Sequence, residues 1–453
     1  MTETVELSRS LKSRHVSMIA IGGIIGAGLF VGSSTVIQNT GPAAVVSYAI
    51  AGFIILLVMR MLSEMAIAIE GVQTFPEFAR VGLGPMAGFL SGWLYWYFWV
   101  VVVAIEAIAG AKIISDWFPM LPVWAVGVAL MALLTAVNLM SARSYGEFEF
   151  WFSSLKVAAI IVFILLTAAW VFGLTSSNSG GGGFANLTAH GGFAPKGWEL
   201  VLAGTTATIF SLCGAEIATI AAAESEEPAK VISRMTVSVS FRILVFYILS
   251  ILLIVSIVPW TSIVPGISPF ATTLKVMGYP GADVLMNAVV LVAVLSCLNS
   301  GLYVTSRALF GLAKYGDAPG WLVQVNARKV PARAILIASL FSYLALAAER
   351  LSPDQVFSFL LNSSGVTMIL LYLMVSAAQL KLRTKYEAEA PERLQIRMWL
   401  HPFGTIAAIA AMAAILIFMA LSPALASQLW MSLLVAAGFV LVYLLRKSRS
   451  DAV

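Results

Sequence analysis

Charge is scarce in this chain. Only 11% of its 453 residues are Asp, Glu, Lys or Arg, where a soluble chain carries about 25%. That excludes an ordinary soluble domain. There are two cysteines, Cys213 and Cys297, both inside apolar segments, which excludes a disulfide framework. The three histidines, His15, His190 and His401, fall at span edges or in loops, so a buried haem or di-metal site lacks its usual ligands. No G-x-x-x-x-G-K-[ST] occurs, which argues against ATP-driven chemistry. Gly26-Ala27-Gly28 follows no strand of a βαβ unit, so a dinucleotide site is not expected either. No ring of charges marks a continuous pore. No A-x-A-like site follows the first apolar run, so no signal peptide is expected to be cleaved. We expect no catalytic residue, metal, cofactor or nucleic-acid partner.

What is present is hydrophobic: 60% of residues, with a mean hydropathy of +0.94. The class is a polytopic, all-α membrane protein. A bilayer core of ~30 Å needs about 20 apolar residues per helix. Twelve spans are predicted, at 15–38, 41–66, 86–113, 122–141, 149–174, 198–222, 237–259, 283–313, 332–350, 354–380, 401–420 and 425–446. With both termini cytoplasmic, the external loops hold only Lys112, Lys196, Lys275 and Arg350 of the 27 basic residues. That asymmetry is what the positive-inside rule requires.

Helices one to five and six to ten make two halves of five. An odd number per half inserts the second half upside down, an architecture of secondary transporters. The organisation expected is a cytoplasmic segment (1–14), a first five-helix repeat (15–174), an external Gly-rich loop (175–197) and a second repeat (198–380). A cytoplasmic loop (381–400), two peripheral helices (401–446) and a cytoplasmic tail (447–453) follow.

Within the first span, four of the seven residues from Gly22 to Gly28 are glycine. One reading is packing, with Gly22 and Gly26 forming a G-x-x-x-G face. The other is an unwound break at Ile24–Gly28, where freed amides bind an anion and freed carbonyls a cation or amine. In the sixth span, Gly214 sits mid-helix and Glu216 is a carboxylate two residues later. Glu216 either bonds a neighbouring helix or lines the pathway. Lys156 either snorkels to the interface or, because burial disfavours the ammonium, carries a transported proton. Glu106 is a further buried carboxylate in the third span, whose aromatics are read as bilayer-facing or core. Arg60 and Glu64, at i,i+4 spacing, are read as a structural pair.

The stretches "RHVSMIAIGGIIGAGLFVGS", "GPAAVVSYAIAG", "RMLSEMA", "GWLYWYFWV", "YGEFEFWFSSLKV" and "CLNSGLYVTSRALFGLAKYGDAP" resemble the amino acid–polyamine–organocation superfamily and its bacterial amino acid permeases. "GAEIATIAAAESEEPAK" and "GEFEFW" are most similar to the γ-aminobutyrate (GABA) permease branch. The resemblance implies a leucine-transporter-like fold, with two inverted five-helix repeats plus two peripheral helices. It places the substrate carboxylate on the amides of Ala27 and Gly28. The amino group would meet carbonyls of Ile24, Phe210 and Cys213 beside Gly214. Lys156 matches a lysine occupying the region where sodium-coupled relatives bind their cation, and Glu216 matches the carboxylate after the second break. Proton coupling is thus assigned to Lys156 and Glu216, with Glu106 secondary.

The expectation is a proton-coupled importer of GABA or a close ω-amino acid in the bacterial inner membrane. Its partners would be substrate, protons and lipid, with oligomeric state left open. The alternatives are a permease for neutral or aromatic α-amino acids, or an amino-acid-binding receptor; the short tail "KSRSDAV" argues against the receptor.

Overall fold

The computed structural model describes residues 18, 25–69, 72, 74–140, 142–174, 183–217, 241–351 and 353–450. All regular structure among the described residues is helical. A π-helical turn, Gly28–Gly32, leads into α1 (Ser33–Thr40), and then come α2 (Ala44–Ala68), α3 (Glu77–Leu83), α4 (Pro85–Trp117), α5 (Val123–Met140) and α6 (Ala142–Val171). The short α7 (Asn186–Ala189) precedes α8 (Trp198–Leu212). A second π-helical turn, Ile243–Leu249, runs into α9 (Ser250–Ile257), followed by α10 (Pro269–Val276) and α11 (Ala282–Lys314). The last are α12 (Ala332–Leu351), α13 (Pro353–Glu389), α14 (Phe403–Leu421) and α15 (Pro423–Ser450). Among the described residues, eight helical stretches are long and apolar enough to cross a bilayer; three more, Trp198–Leu212, Ile243–Ile257 and Ala332–Ala348, are apolar but shorter. This is an integral membrane protein.

The first long stretch, Gly28–Ala68, has 41 residues. As one straight helix it would measure about 60 Å, twice the bilayer core. It is interrupted at Gly41, whose φ of 67° and ψ of −151° are not helical. A Cβ at Gly41 would also lie 2.5 Å from the Pro195 ring. Glycine is therefore required there twice over, by backbone conformation and by space.

The centre of the molecule is the long pair α4 and α11, the most extensive helix contact. Helix α4 starts cleanly because Gly84 precedes a proline at its first position, where the missing N–H costs nothing. Three glycines set the approach of the pair. Gly92 faces Leu312, Gly301 faces Val103 and Gly110 faces Val294. As the α4 number rises the α11 number falls, so the helices are antiparallel. A Cβ at Gly301 would meet Val103 at 2.6 Å; small residues let the backbones close in, as packing inside a membrane favours.

Two expectations change here. Helix α13 continues to Glu389, so much of the segment expected as a loop at 381–400 is helical. Ion pairs at i,i+4, Arg383–Glu387 at 2.7 Å and Lys385–Glu389 at 3.7 Å, line that extension. Nor does Glu64 pair with Arg60. Its carboxylate accepts from Arg383 Nη1 at 2.5 Å, Gln379 Nε2 at 2.7 Å and the Met398 amide at 2.5 Å. Arg60 instead donates to the Arg397 carbonyl and lies over the Trp399 ring. The i,i+4 spacing offered a local partner, but tertiary packing supplied a buried one. Removing only the cation of a buried pair costs about 3–5 kcal/mol. Arg383→Met should therefore lower the thermal unfolding midpoint in detergent strongly, and adding Glu64→Gln should recover most of the loss. Equal midpoints for the wild type and Arg383→Met would show that the pair contributes nothing.

Candidate functional site

Two non-helical stretches meet here, residues 25–26 and residues 213–216. Ile25 and Gly26 are not helical, and the chain resumes at Ala27 before the π-helical turn of Gly28–Gly32. The break expected at Ile24–Gly28 ends before Ala27: Gly28 opens the π-helical turn and is not unwound. Ile24 and Gly22 lie outside the described residues. π-Helical turns mark sites where a helix is distorted for a purpose. The second break follows α8. Cys213 is extended (φ −64°, ψ 154°), and Gly214 has φ of 113°, a conformation that favours glycine. Helix resumes at Ile217, and residues 218–240 lie outside the described residues, which removes most of "EIATIAAAES" from view.

Glu216 closes the second break on itself, Oε2 accepting from the Gly214 amide at 3.0 Å. Tyr95 and Trp99 of α4 flank it. The carboxylate thus fixes the shape of the turn that carries Phe210 and Cys213.

The breaks meet backbone to backbone. Ser211 Oγ donates to the Gly28 carbonyl at 2.9 Å, and a Cβ on Gly28 would fall 2.8 Å from Ser211 Cα. Beside this contact is a small cavity of about 20 Å³, room for about one water-sized molecule as the chain stands. The breaks line it with Gly26, Gly28, Phe210, Ser211 and Cys213; α4 adds Phe98, Trp99, Val102 and Glu106, and α11 adds Cys297. The aromatics Phe98 and Trp99, read from the sequence as bilayer-facing or core, form cavity wall. Phe98 packs edge-on to Phe210 at 6.3 Å. Neither cysteine is in a disulfide.

Glu106, Lys156 and Glu149 gather around the first break. The Ala27 amide, expected to hold a substrate carboxylate, donates to both Glu106 oxygens, at 3.0 and 3.1 Å. Lys156 does not snorkel. It is fully buried, with Nζ donating to the Ile25 carbonyl at 3.0 Å and to Ser296 Oγ at 2.8 Å. Ser296 Oγ in turn donates to Glu149 Oε1 at 2.6 Å, which lies 3.8 Å from Lys156 Nζ. Glu149 was missed in the sequence, although a legible signal existed: it precedes Lys156 by seven residues, two turns back on the same helix face. Ser211, Trp99 and Cys297 were missed for want of any local signal. Among the described residues no group of His, Cys, Asp and Glu is arranged to hold a metal.

A membrane chain whose described residues form only helices, and in which two helix breaks border a small cavity, has the build of a secondary transporter. The sequence matches the family described as Amino acid permease over residues 15–447, and the chain belongs to that family, which comprises transporters and not enzymes. It is 46% identical over 443 residues to a gamma-aminobutyric acid permease of Bacillus subtilis, covering 98% of this chain and 94% of that one. It is also 46% identical to a probable GABA permease of Pseudomonas aeruginosa (92% and 88% covered). Similarity extends to an aromatic amino acid transport protein of Salmonella typhimurium, at 38% identity with 94% and 93% covered.

Proposed function

We propose that this protein imports GABA, or a close ω-amino acid, together with protons across the bacterial cytoplasmic membrane by alternating access. The observation that carries the reading is the cavity between the two breaks, with a buried ammonium, Lys156, fixed to the Ile25 carbonyl of the first break. A fixed ammonium there repels Na⁺ and favours H⁺ as the coupling ion. The relatives named for GABA support the substrate. Dividing Gly28–Ala68 at Gly41 and adding the three shorter apolar helices gives twelve spans, which supports two inverted repeats of five plus a peripheral pair, with both termini cytoplasmic. Lys156, Glu149 and Glu106 are close enough to titrate as one unit and form the proton site in this reading. Glu216 shapes the site.

The aromatic cavity wall and the relative named for aromatic amino acids favour a second reading, an aromatic α-amino acid as cargo. Proteoliposomes with an inward proton gradient separate the two. Labelled GABA should accumulate and be displaced by short ω-amino acids. If phenylalanine is concentrated while GABA neither moves nor competes, the second reading holds.

A further inference from the structure

The Ala27 amide is the point at which a carboxylate ligand is expected, and the protein supplies a carboxylate of its own there. Glu106 reaches it from α4, 79 positions along the chain, and both its oxygens lie within hydrogen-bond distance of the amide. The carboxyl is buried and forms part of the cavity wall. A Cβ on Gly26 would lie 2.5 Å from Glu106 Oε1, so the absence of a side chain at Gly26 is what lets Glu106 approach. The other ionisable groups that face Glu106 are the Cys297 thiol from α11 and Lys156 from α6. Glu149 faces Lys156 from the same helix.

We propose that Glu106 is an internal competitor of the substrate carboxylate: it holds the Ala27 amide until a carboxylate ligand displaces it, and it takes up a proton as that happens. One amide donor cannot serve two anions. The displaced carboxylate remains in a cavity walled by Phe98, Trp99, Val102 and Phe210, a few ångströms from a second negative charge. Two carboxylates sharing one buried site do not both stay ionised. The step balances simply, since one proton from solvent adds to Glu106, the Ala27 N–H bond passes to the ligand, and no covalent bond forms or breaks. Linkage makes the effect reciprocal: protons favour carboxylate binding and the carboxylate favours proton binding, which is what symport requires. This rests on the proposed function only in needing a carboxylate-bearing substrate; GABA and phenylalanine both qualify.

The test is binding to the detergent-purified full chain between about pH 6 and about pH 8, where the charges of GABA itself do not change. Wild-type affinity for GABA should rise as pH falls, approaching about tenfold per pH unit for one linked proton. Titration calorimetry in buffers of different ionisation enthalpy should show uptake of about one proton per GABA bound at the upper end of that range. Glu106→Gln keeps an oxygen acceptor for the Ala27 amide and removes the charge. It should bind GABA with a flat pH profile and take up no proton. A merely structural role would lower affinity or expression without flattening the profile. Wild-type binding with no proton uptake overturns the proposal, and that measurement needs no variant. A Glu106→Gln profile as steep as wild type also overturns it. Absence of GABA binding at every pH is instead a failure of the GABA reading, and the same experiment with phenylalanine then decides the role of Glu106.

Discussion

Lys156→Ala should abolish accumulation of substrate driven by a pH gradient while leaving substrate binding measurable. The ammonium is the cation that faces Glu106 and Glu149, and it ties three elements together. It binds the Ile25 carbonyl at the first break and Ser296 on α11 from its own place on α6. Without it the two buried carboxyls have no cation to hold their charge, and the group loses its means of exchanging a proton in step with the breaks. Lys156→Arg should fail as well, because a guanidinium keeps its proton at any working pH. Stability must be controlled, since stripping the cation from a buried pair costs about 3–5 kcal/mol. Lys156→Ala combined with Glu149→Gln removes that burden and should restore the unfolding midpoint without restoring proton-driven uptake. The measurement is uptake with and without a pH gradient at fixed membrane potential. If Lys156→Ala still concentrates substrate in response to the gradient, Lys156 is an anchor, and the coupling proton belongs to a neighbouring carboxyl.

The second large effect is expected at Gly28. A methyl group there would sit 2.8 Å from Ser211 Cα and 3.2 Å from its hydroxyl. Backbone cannot yield as a flexible side chain can, so the two breaks would have to separate and the Ser211–Gly28 hydrogen bond would be lost. Overpacking of this kind costs about 1–3 kcal/mol, and the strain falls on the cavity wall itself. Gly28→Ala should therefore weaken substrate binding between about fivefold and about 150-fold at that energy scale. Gly28→Val should be worse, because a β-branched side chain also crowds the turn. Gly32, one turn on, has nothing nearer than 3.6 Å to a new Cβ, so Gly32→Ala should bind nearly as wild type. Equal losses at Gly28 and Gly32 would show that glycine matters here only for general packing. The Ser211 backbone, ahead of any ligand, is the first obstacle to a side chain at Gly28.

The sequence by itself determined the membrane class, the helical build, the family and the neighbourhood of both breaks. These follow from local composition: apolar runs longer than a bilayer is thick, and glycine where a helix must come apart. Gly26 and Gly214 both lie in non-helical stretches, where a very close neighbour or an unusual φ restricts the residue type whatever surrounds it. Lys156 was conspicuous for a similar reason, as a charge within an apolar span. Which groups these residues meet was decided only by the tertiary structure. Ala27 to Glu106 spans 79 positions, Lys156 to Ser296 spans 140 and Glu64 to Arg383 spans 319. Such pairings depend on how each helix is rotated and how far it slides against its neighbour. A helix that is apolar on every side, like α4, carries no periodic stripe from which that rotation can be read. The run "WLYWYFWVVVVAIEA" therefore looks alike whether a ring faces lipid, core or cavity. Packing against α11 and the two breaks is what turned Phe98, Trp99 and Glu106 toward the cavity.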